Sequence, residues 1–166
     1  MTTFFDIRDE YNKKGEVLIA TDIENGEKFI LNENIASPQI TDYNGKKCFI
    51  EKLMDKTKIV VAGAGHVSMD FAKVAEILCF DLIIIDDRAE FANSERFPNA
   101  QIICGNIGES LKSDFGKNVY YVIMTRGHKD DYEALKTILS KEYKYVGMIG
   151  SRKKVAFVKD KLKNDG

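Results

Sequence analysis

Residues 58–68 read KIVVAGAGHVS, a short apolar stretch that runs directly into two closely spaced glycines. The stretch predicts a buried strand over Lys58 to Ala62, and the sequence after the glycines predicts a helix. Dinucleotide-binding domains combine a strand, a Gly-X-Gly turn and a helix in this order. The first glycine, here Gly63, permits the tight turn, and the second, Gly65, lets phosphate oxygens approach the helix N-terminus. Ser68 stands where that fingerprint has its third glycine.

Short apolar strands alternate with helical segments through the rest of the chain, which is typical of βαβ units and a parallel sheet buried on both faces. The predicted strands are Lys58 to Ala62, Leu82 to Asp86, Gln101 to Cys104, Val119 to Met124 and Tyr145 to Ile149. The helix after the glycines has one apolar face, made of Val67, Phe71, Val74, Ala75 and Leu78. We therefore expect an α/β fold, a Rossmann-like parallel sheet with helices on both faces.

Two later helices have predicted N-terminal caps. Asp130 and Asp131 are expected to cap a helix from Tyr132 to Leu139, and Ser151 is expected to cap a last helix through Leu162, because side-chain oxygens of Asp and Ser accept hydrogen bonds from free backbone N–H groups.

The first 55 residues have a pattern of strands and turns that differs from the alternation of strands and helices after them. We therefore expect a small helix and β-hairpin appendage over 1–55, followed by the Rossmann-like domain over 56–166. Apolar residues at Phe4, Phe5, Ile7 and Tyr11 predict one amphipathic helix. Strands are predicted at 15–20, 27–31 and 47–51. Asn25-Gly26 is expected to form a hairpin turn, and Asn44-Gly45 precedes the last strand, so the segment is expected to be a small β meander.

Composition narrows the class of protein. The chain has 166 residues, 44% hydrophobic and 31% charged, with a net charge of −1, so it is globular and carries no overall basic field for nucleic acid. Its apolar runs are shorter than the roughly 18 residues of a membrane span, and its N-terminus does not resemble a secretory signal. The three cysteines have neither disulfide nor zinc spacing, so we expect a cytoplasmic protein without a metal site.

Arginine and histidine concentrate in the turns that follow the predicted strands. Five of these scarce residues lie there, namely His66, Arg88, Arg126, His128 and Arg152, with Lys129, Lys153 and Lys154 adding charge. Because ligands of open parallel sheets bind beyond the carboxyl ends of the strands, this placement predicts a local anion site. The alternative is that these are ordinary solvated charges. Cys104, at one strand end, is interpreted as a buried residue rather than as a sulfur-handling thiol.

Four motifs together resemble the Rossmann domain of the XdhC/CoxI family, accessory factors of xanthine dehydrogenase and related molybdenum hydroxylases. They are Gly63-Ala-Gly-His-Val67, Ile85-Asp-Asp-Arg88 with Glu95-Arg-Phe-Pro98, Thr125-Arg-Gly-His128 with Asp131, and Gly147-Met-Ile-Gly-Ser-Arg-Lys-Lys154. Fuller family members have a longer N-terminal domain and continue beyond the last motif, so the resemblance implies a shortened or partial member.

The resemblance implies a maturation factor rather than an enzyme. Such factors bind molybdenum cofactor, as molybdopterin or its dinucleotide form, assist the replacement of an oxo ligand by sulfur, and deliver the product to the apo-hydroxylase, with a cysteine desulfurase as sulfur donor. A homodimer is a further expectation. The expected cofactor-binding residues are Gly63, Gly65, His66, Val67, Ser68, Asp86, Arg88, Thr125, Arg126, His128, Gly150, Ser151 and Arg152.

Two other functions remain open at this point. The glycine turn and Asp86, an acid placed to bind a ribose hydroxyl, also fit an NAD(P)-dependent oxidoreductase, although no acid or base stands out beyond His66 and His128. Arg88 would favour a 2′-phosphate where Asp86 would disfavour it, which leaves NAD and NADP undecided. A nucleotide-sensing Rossmann domain is the third interpretation.

Overall fold

The computed structural model describes residues 2–33, 35–54, 56–116 and 118–165, and only the backbone of His128. The chain divides into two compact units, Met1–Asp55 and Lys56–Gly166. The helices and strands of the first unit are α1 (Phe4–Lys14), β1 (Glu16–Asp22), β2 (Lys28–Leu31), β3 (Gln39–Tyr43) and β4 (Lys46–Met54). Those of the second unit are β5 (Lys58–Ala62), α2 (His66–Ile77), β6 (Asp81–Asp86), β7 (Gln101–Cys104), α3 (Ile107–Ser110), β8 (Val119–Ile123), α4 (His128–Leu139), β9 (Tyr145–Met148) and α5 (Arg152–Asn164).

The first unit is a four-stranded antiparallel sheet with one helix. Both predicted turns are present: Gly26 and Gly45 have φ of 75° and 76°, the left-handed conformation that a tight hairpin requires. The strand order is β2-β1-β4-β3, because β1 pairs with β4 as well as with β2. The sheet is therefore two hairpins joined through their first and last strands and not a simple meander.

Helix α1 begins with a capping box, in which the Thr3 hydroxyl accepts from the Asp6 N–H at 3.2 Å and the Asp6 carboxylate accepts from the Thr3 N–H at 2.7 Å. Of the four apolar residues that predicted this helix, Ile7 is buried, whereas Phe4 and Phe5 are exposed. The predicted helix is confirmed, but the two phenylalanines do not belong to its buried face.

The second unit is the predicted parallel sheet. Its strand order is β7-β6-β5-β8-β9, every neighbouring pair is parallel, and β5 lies at the centre. All five predicted strands are confirmed, each within one residue of its predicted bounds. Consecutive residues of β5 alternate between two buried clusters, Val60 on one face and Val61 on the other, which explains why the strand is apolar throughout.

The predicted inner face of α2 is largely wrong. Val67, Val74 and Leu78 are all more than half exposed, and the buried residues of the helix are Ser68 and Ala75. Phe71 and Ala75 do pack against the buried cluster on this face of the sheet, so two of the five predicted residues face inward. Within the described ranges, no helix is long and apolar enough to cross a membrane.

Gly63 joins β5 to α2 at the point where the backbone of β8 passes closest. Its N–H donates to the Ile85 carbonyl at 2.7 Å and its φ is 109°. A Cβ at this position would lie 2.6 Å from the Met124 carbonyl oxygen. The glycine is therefore required both for its positive φ and for the approach of two backbones.

Replacing Gly63 by alanine should destabilise the fold more than replacing Gly116 by alanine. Gly116 also has a positive φ, 95°, but a Cβ there meets nothing within 4 Å. We expect Gly116→Ala to lower the unfolding free energy by about 1–3 kcal/mol through backbone strain. Gly63→Ala should lose at least about 1 kcal/mol more through its clash with Met124. Urea denaturation measures both values, and equal losses would contradict the role of the close approach.

Candidate functional site

A cleft of about 450 Å³ opens at the carboxyl edge of the parallel sheet. It lies where the strand order reverses on either side of β5, between the segments that follow β6 and β8. In doubly wound sheets this crevice is where ligands bind. The residues that line it are Asp86, Asp87, Arg88, Ile107, Thr125, Arg126, Gly127 and Asp130.

One wall of the cleft is built around the buried carboxylate of Asp86. Its Oδ2 accepts from the Ala64 N–H at 2.7 Å and from Arg88 NH2 at 2.8 Å. Its Oδ1 accepts from the backbone N–H of Arg88 at 3.1 Å and from Arg88 Nε at 2.8 Å. The carboxylate thus ties the glycine turn to Arg88 through a bidentate ion pair.

These hydrogen bonds also fix the charge of Asp86. Burial by itself would raise the pKa of this carboxyl group, but the hydrogen bonds from Arg88 and from the backbone N–H of Ala64 outweigh burial and hold its pKa below the ordinary value. The same pairing raises the pKa of Arg88. Both side chains are therefore charged at neutral pH.

The opposite wall is held by a buried network that links α4 and α5. Asp131 is completely buried, its Oδ1 accepts from the Thr125 hydroxyl at 2.6 Å, and its Oδ2 lies 2.5 Å from Lys154 Nζ. Lys154 Nζ also donates to the Thr125 carbonyl at 2.8 Å. Lys154 consequently fixes the Thr125 loop, and it is not one of the free cations that the sequence suggested.

Helix α4 begins at His128, earlier than the predicted start at Tyr132, and neither predicted aspartate caps it. Its N-cap is Gly127, with no side-chain hydrogen bond. Asp131 lies inside the first turn and is drawn inward by Thr125 and Lys154. The prediction of an Asp130 or Asp131 cap is therefore wrong, and the N-terminus of α4 lies uncapped beside the cleft.

Helix α2 starts in a similar way. Gly65 is its N-cap, again without a side-chain hydrogen bond, and a Cβ there would meet nothing within 4 Å. Ser68 is buried, and its hydroxyl donates to the Gly63 carbonyl at 2.6 Å. Ser68 thus stabilises the turn from inside the fold, and its hydroxyl is not directed to a ligand.

The expected site residues converge only in part. Four of them line the cleft: Asp86, Arg88, Thr125 and Arg126. His66 and Val67 lie on the exposed first turn of α2, and Gly150, Ser151 and Arg152 are exposed at the start of α5, where the Ser151 hydroxyl accepts from the Lys154 N–H as predicted. The side chain of His128 lies outside the described part of the structure.

Sequence reasoning missed several residues of the site. Asp87, Ile107, Gly127 and Asp130 line the cleft, and Arg96 NH2 donates to the Ala64 carbonyl at 3.2 Å. A motif quoted for the family resemblance contained Arg96, but no local pattern indicated that it reaches the glycine turn.

The cysteine at this edge of the sheet is accessible to solvent. Cys104 is exposed at the end of β7, which overturns its interpretation as a buried residue. Among the described side chains, no group of three or more His, Cys, Asp or Glu residues could hold a metal ion.

Comparison with known proteins identifies the family of the second unit. Residues 59–166 match the family described as the XdhC Rossmann domain. The chain belongs to this family. This XdhC domain is similar to the uncharacterized protein YqeB of Escherichia coli strain K12, with 28% identity over 67% of the chain and 21% of the relative. It is also similar to a probable xanthine dehydrogenase subunit of Bacillus subtilis strain 168, with 26% identity over 62% of the chain and 32% of the relative.

The chain thus covers about a third or less of the length of these two curated relatives. A crystal structure described as a xanthine dehydrogenase from Bacillus halodurans shares the fold of this chain, with a TM-score of 0.71 and 20% identity over 92% of this chain and 53% of that one.

Removing the Lys154 ammonium should strongly destabilise the protein. Lys154→Met leaves the buried Asp131 carboxylate without its cation, and the loss of one partner from a buried ion pair costs about 3–5 kcal/mol. The neighbouring Lys153 is exposed, so Lys153→Met is the matched control and should change the unfolding free energy by less than about 0.5 kcal/mol. Chemical denaturation measures both. Similar values for the two variants would refute the structural role of Lys154.

Asp86 should make stability depend on pH in the acid range. Because its folded-state pKa is lowered, its contribution is present above the ordinary carboxyl pKa and is lost as the pH falls through the lowered value. We expect Asp86→Asn to cost about 1.5–3 kcal/mol at pH 7, a difference from wild type that stays constant down to the ordinary carboxyl pKa and shrinks only below it. The exposed neighbour supplies the control, Asp87→Asn. A difference that is independent of pH would exclude this linkage.

Proposed function

We propose that this chain is an accessory factor that binds molybdenum cofactor and assists its sulfuration and insertion into a molybdenum hydroxylase of the xanthine dehydrogenase type. Membership of the XdhC family supports the proposal, as do the names of the Bacillus subtilis relative and of the Bacillus halodurans structure. The observation that carries it is the cleft between Arg88 and Arg126, because the cofactor is an anion and these side chains are cations.

The chemistry of the cleft suits a phosphorylated pterin. Arg126 is exposed at the cleft, and the N-terminus of α4 adjoins it, where the N-cap Gly127 makes no side-chain hydrogen bond. Helix N-termini and guanidinium groups are both favourable partners for phosphate oxygens. A volume of about 450 Å³ lies within the range of small-molecule sites.

The same cleft also contains negative charge, which affects how tightly an anionic cofactor could be held. Asp87 and Asp130 line it beside the two arginines. Their carboxylates oppose an anionic ligand and limit its affinity. A carrier must release its cargo to the hydroxylase, so mixed charge fits transient binding better than it fits a permanently held prosthetic group.

The proposal assigns the sulfur chemistry to partners. A cysteine desulfurase would supply the sulfur that replaces an oxo ligand, and the apo-hydroxylase would receive the sulfurated cofactor in the cytoplasm. Within the described cleft, Thr125 is buried and its hydroxyl donates to the Asp131 carboxylate, so we assign this hydroxyl a structural role. The role of this chain is to bind, orient and shield the cofactor.

A nucleotide-binding oxidoreductase is the second candidate, because the glycine turn and the uncapped start of α2 are arranged as in dinucleotide sites. Calorimetry with NADH and with NADPH at millimolar concentration separates the two functions. Heat of binding with either nucleotide, together with turnover of a substrate, would favour the oxidoreductase. Absence of heat with both nucleotides would remove that candidate.

Cofactor retention tests the proposal directly. The purified chain is mixed with molybdenum cofactor released from a donor protein and passed through a size-exclusion column, and pterin fluorescence is measured in the protein peak. We expect co-elution with the wild type and about tenfold weaker retention by Arg126→Gln, because a charge-assisted hydrogen bond is lost.

Arg8→Gln is the control, since Arg8 is an exposed arginine of α1 in the other unit. It should retain pterin like the wild type. Failure of correctly folded wild-type protein to carry any pterin would refute cofactor binding. Equal losses in both variants would indicate a general charge effect and not a site at the cleft.

A further inference from the structure

The acid at the end of β6 has no remaining capacity to bind a ribose. In dinucleotide-binding domains this position accepts hydrogen bonds from ribose hydroxyls. Here Asp86 already accepts four hydrogen bonds, one from Ala64 and three from Arg88. A carboxylate has about four lone-pair sites, so its acceptor capacity is filled. A ribose diol could bind only after Arg88 had been displaced.

Displacement of Arg88 is opposed by a second interaction. Its guanidinium lies 3.9 Å from the centre of the Phe91 ring, and that of Arg96 lies 5.0 Å from the centre of the same ring. We call Arg88, Phe91 and Arg96 the arginine stack. Cation–π contact with the ring adds to the bidentate pair with Asp86, so Arg88 is held on two sides.

The arginine stack retains donors that nothing in the described structure satisfies. Arg88 NH1 and Arg96 Nε are buried and have no hydrogen-bond partner. Arg96 NH2 meanwhile donates to the Ala64 carbonyl, which places this second guanidinium against the glycine turn. Both guanidinium groups thus keep unsatisfied N–H donors beside the same ring, and an anion that accepted from both would satisfy them.

Negative charge near the stack does not fill this role. Asp86 neutralises Arg88 through the other edge of its guanidinium. Asp87 lies 3.9 Å from Arg88 Nε, but its side chain is 66% exposed, so solvent screens its charge. Neither carboxylate reaches Arg88 NH1 or Arg96 Nε within hydrogen-bond distance.

We propose that the arginine stack receives a phosphate monoester of the ligand, and that Asp86 positions Arg88 for this instead of binding a ribose diol. The inference rests on the proposed function in one respect, that the cleft is the ligand site. It replaces the expectation that Asp86 would bind a ribose hydroxyl with a positioning role for that carboxylate. Among cofactor forms it favours one that ends in a phosphate monoester over a dinucleotide whose ribose hydroxyls are free.

NADPH and NADH are a matched pair of probes, because they differ only by a phosphate monoester on the ribose hydroxyl that a β-strand acid would otherwise bind. Their binding to the full chain is followed by nicotinamide fluorescence. We expect NADPH to bind at least about tenfold more tightly than NADH. Arg8→Gln should keep this ratio.

Variants of the stack separate positioning from general stability. Arg88→Ala should weaken NADPH binding and strengthen NADH binding, because it removes the phosphate donor and frees the oxygens of Asp86. Arg96→Gln should weaken NADPH binding without improving NADH binding. Arg96→Lys, which keeps a cation and a donor for the Ala64 carbonyl, should restore part of the preference. Circular dichroism confirms that each variant is folded.

The inference is overturned by equal or tighter binding of NADH, by an unchanged ratio in folded Arg88→Ala, or by no saturable binding of either nucleotide up to about 5 mM. Its failure is distinguishable from failure of the proposed function. Retention of pterin without a preference for NADPH would refute only the phosphate site. A clear preference for NADPH without pterin retention would refute cofactor delivery and identify the cleft as a nucleotide site.

Discussion

The site depends on the close passage of the Gly63 backbone against that of Met124. Because no side chain fits there, the turn after β5 can follow this course only with glycine at position 63. That course presents the Ala64 N–H to the Asp86 carboxylate at 2.7 Å, and the carboxylate in turn fixes Arg88. The position of a cation at the ligand edge is thus determined by a contact between two strand ends.

The two walls of the cleft, on opposite sides of β5, are each held by a buried ion pair. On each side a buried carboxylate, Asp86 or Asp131, joins a strand end to a cationic side chain. Leaving either carboxylate unpaired would be costly, so the walls are rigid before any ligand arrives. Rigid walls reduce the conformational entropy that binding must overcome. The two ion pairs differ in where they leave the cation: Arg88 lines the cleft, whereas Lys154 is buried.

Local patterns were sufficient to predict much of this fold. The five parallel strands, the two Asn-Gly turns and the Ser151 cap depend on residues close together in sequence, and the structure confirms them. The exposed face of α2 and the pairing of β1 with β4 depend on tertiary packing, and both differ from expectation. β3 was missed because its alternation of polar and apolar residues is short and weakly buried.

The candidate site was predicted less completely, for an electrostatic reason. Sequence shows which residues carry charge, but not which charges are neutralised by one another. Lys154 and Asp131 neutralise each other inside the fold, and Asp86 takes up one edge of Arg88. Among the described residues, the groups left for a ligand are the exposed Arg126, the unpaired donors of the arginine stack and the N-terminus of α4, with the carboxylates of Asp87 and Asp130 beside them. A near-neutral chain can therefore keep unpaired cationic donors at one edge of its sheet, because buried pairing leaves its opposite charges unevenly distributed.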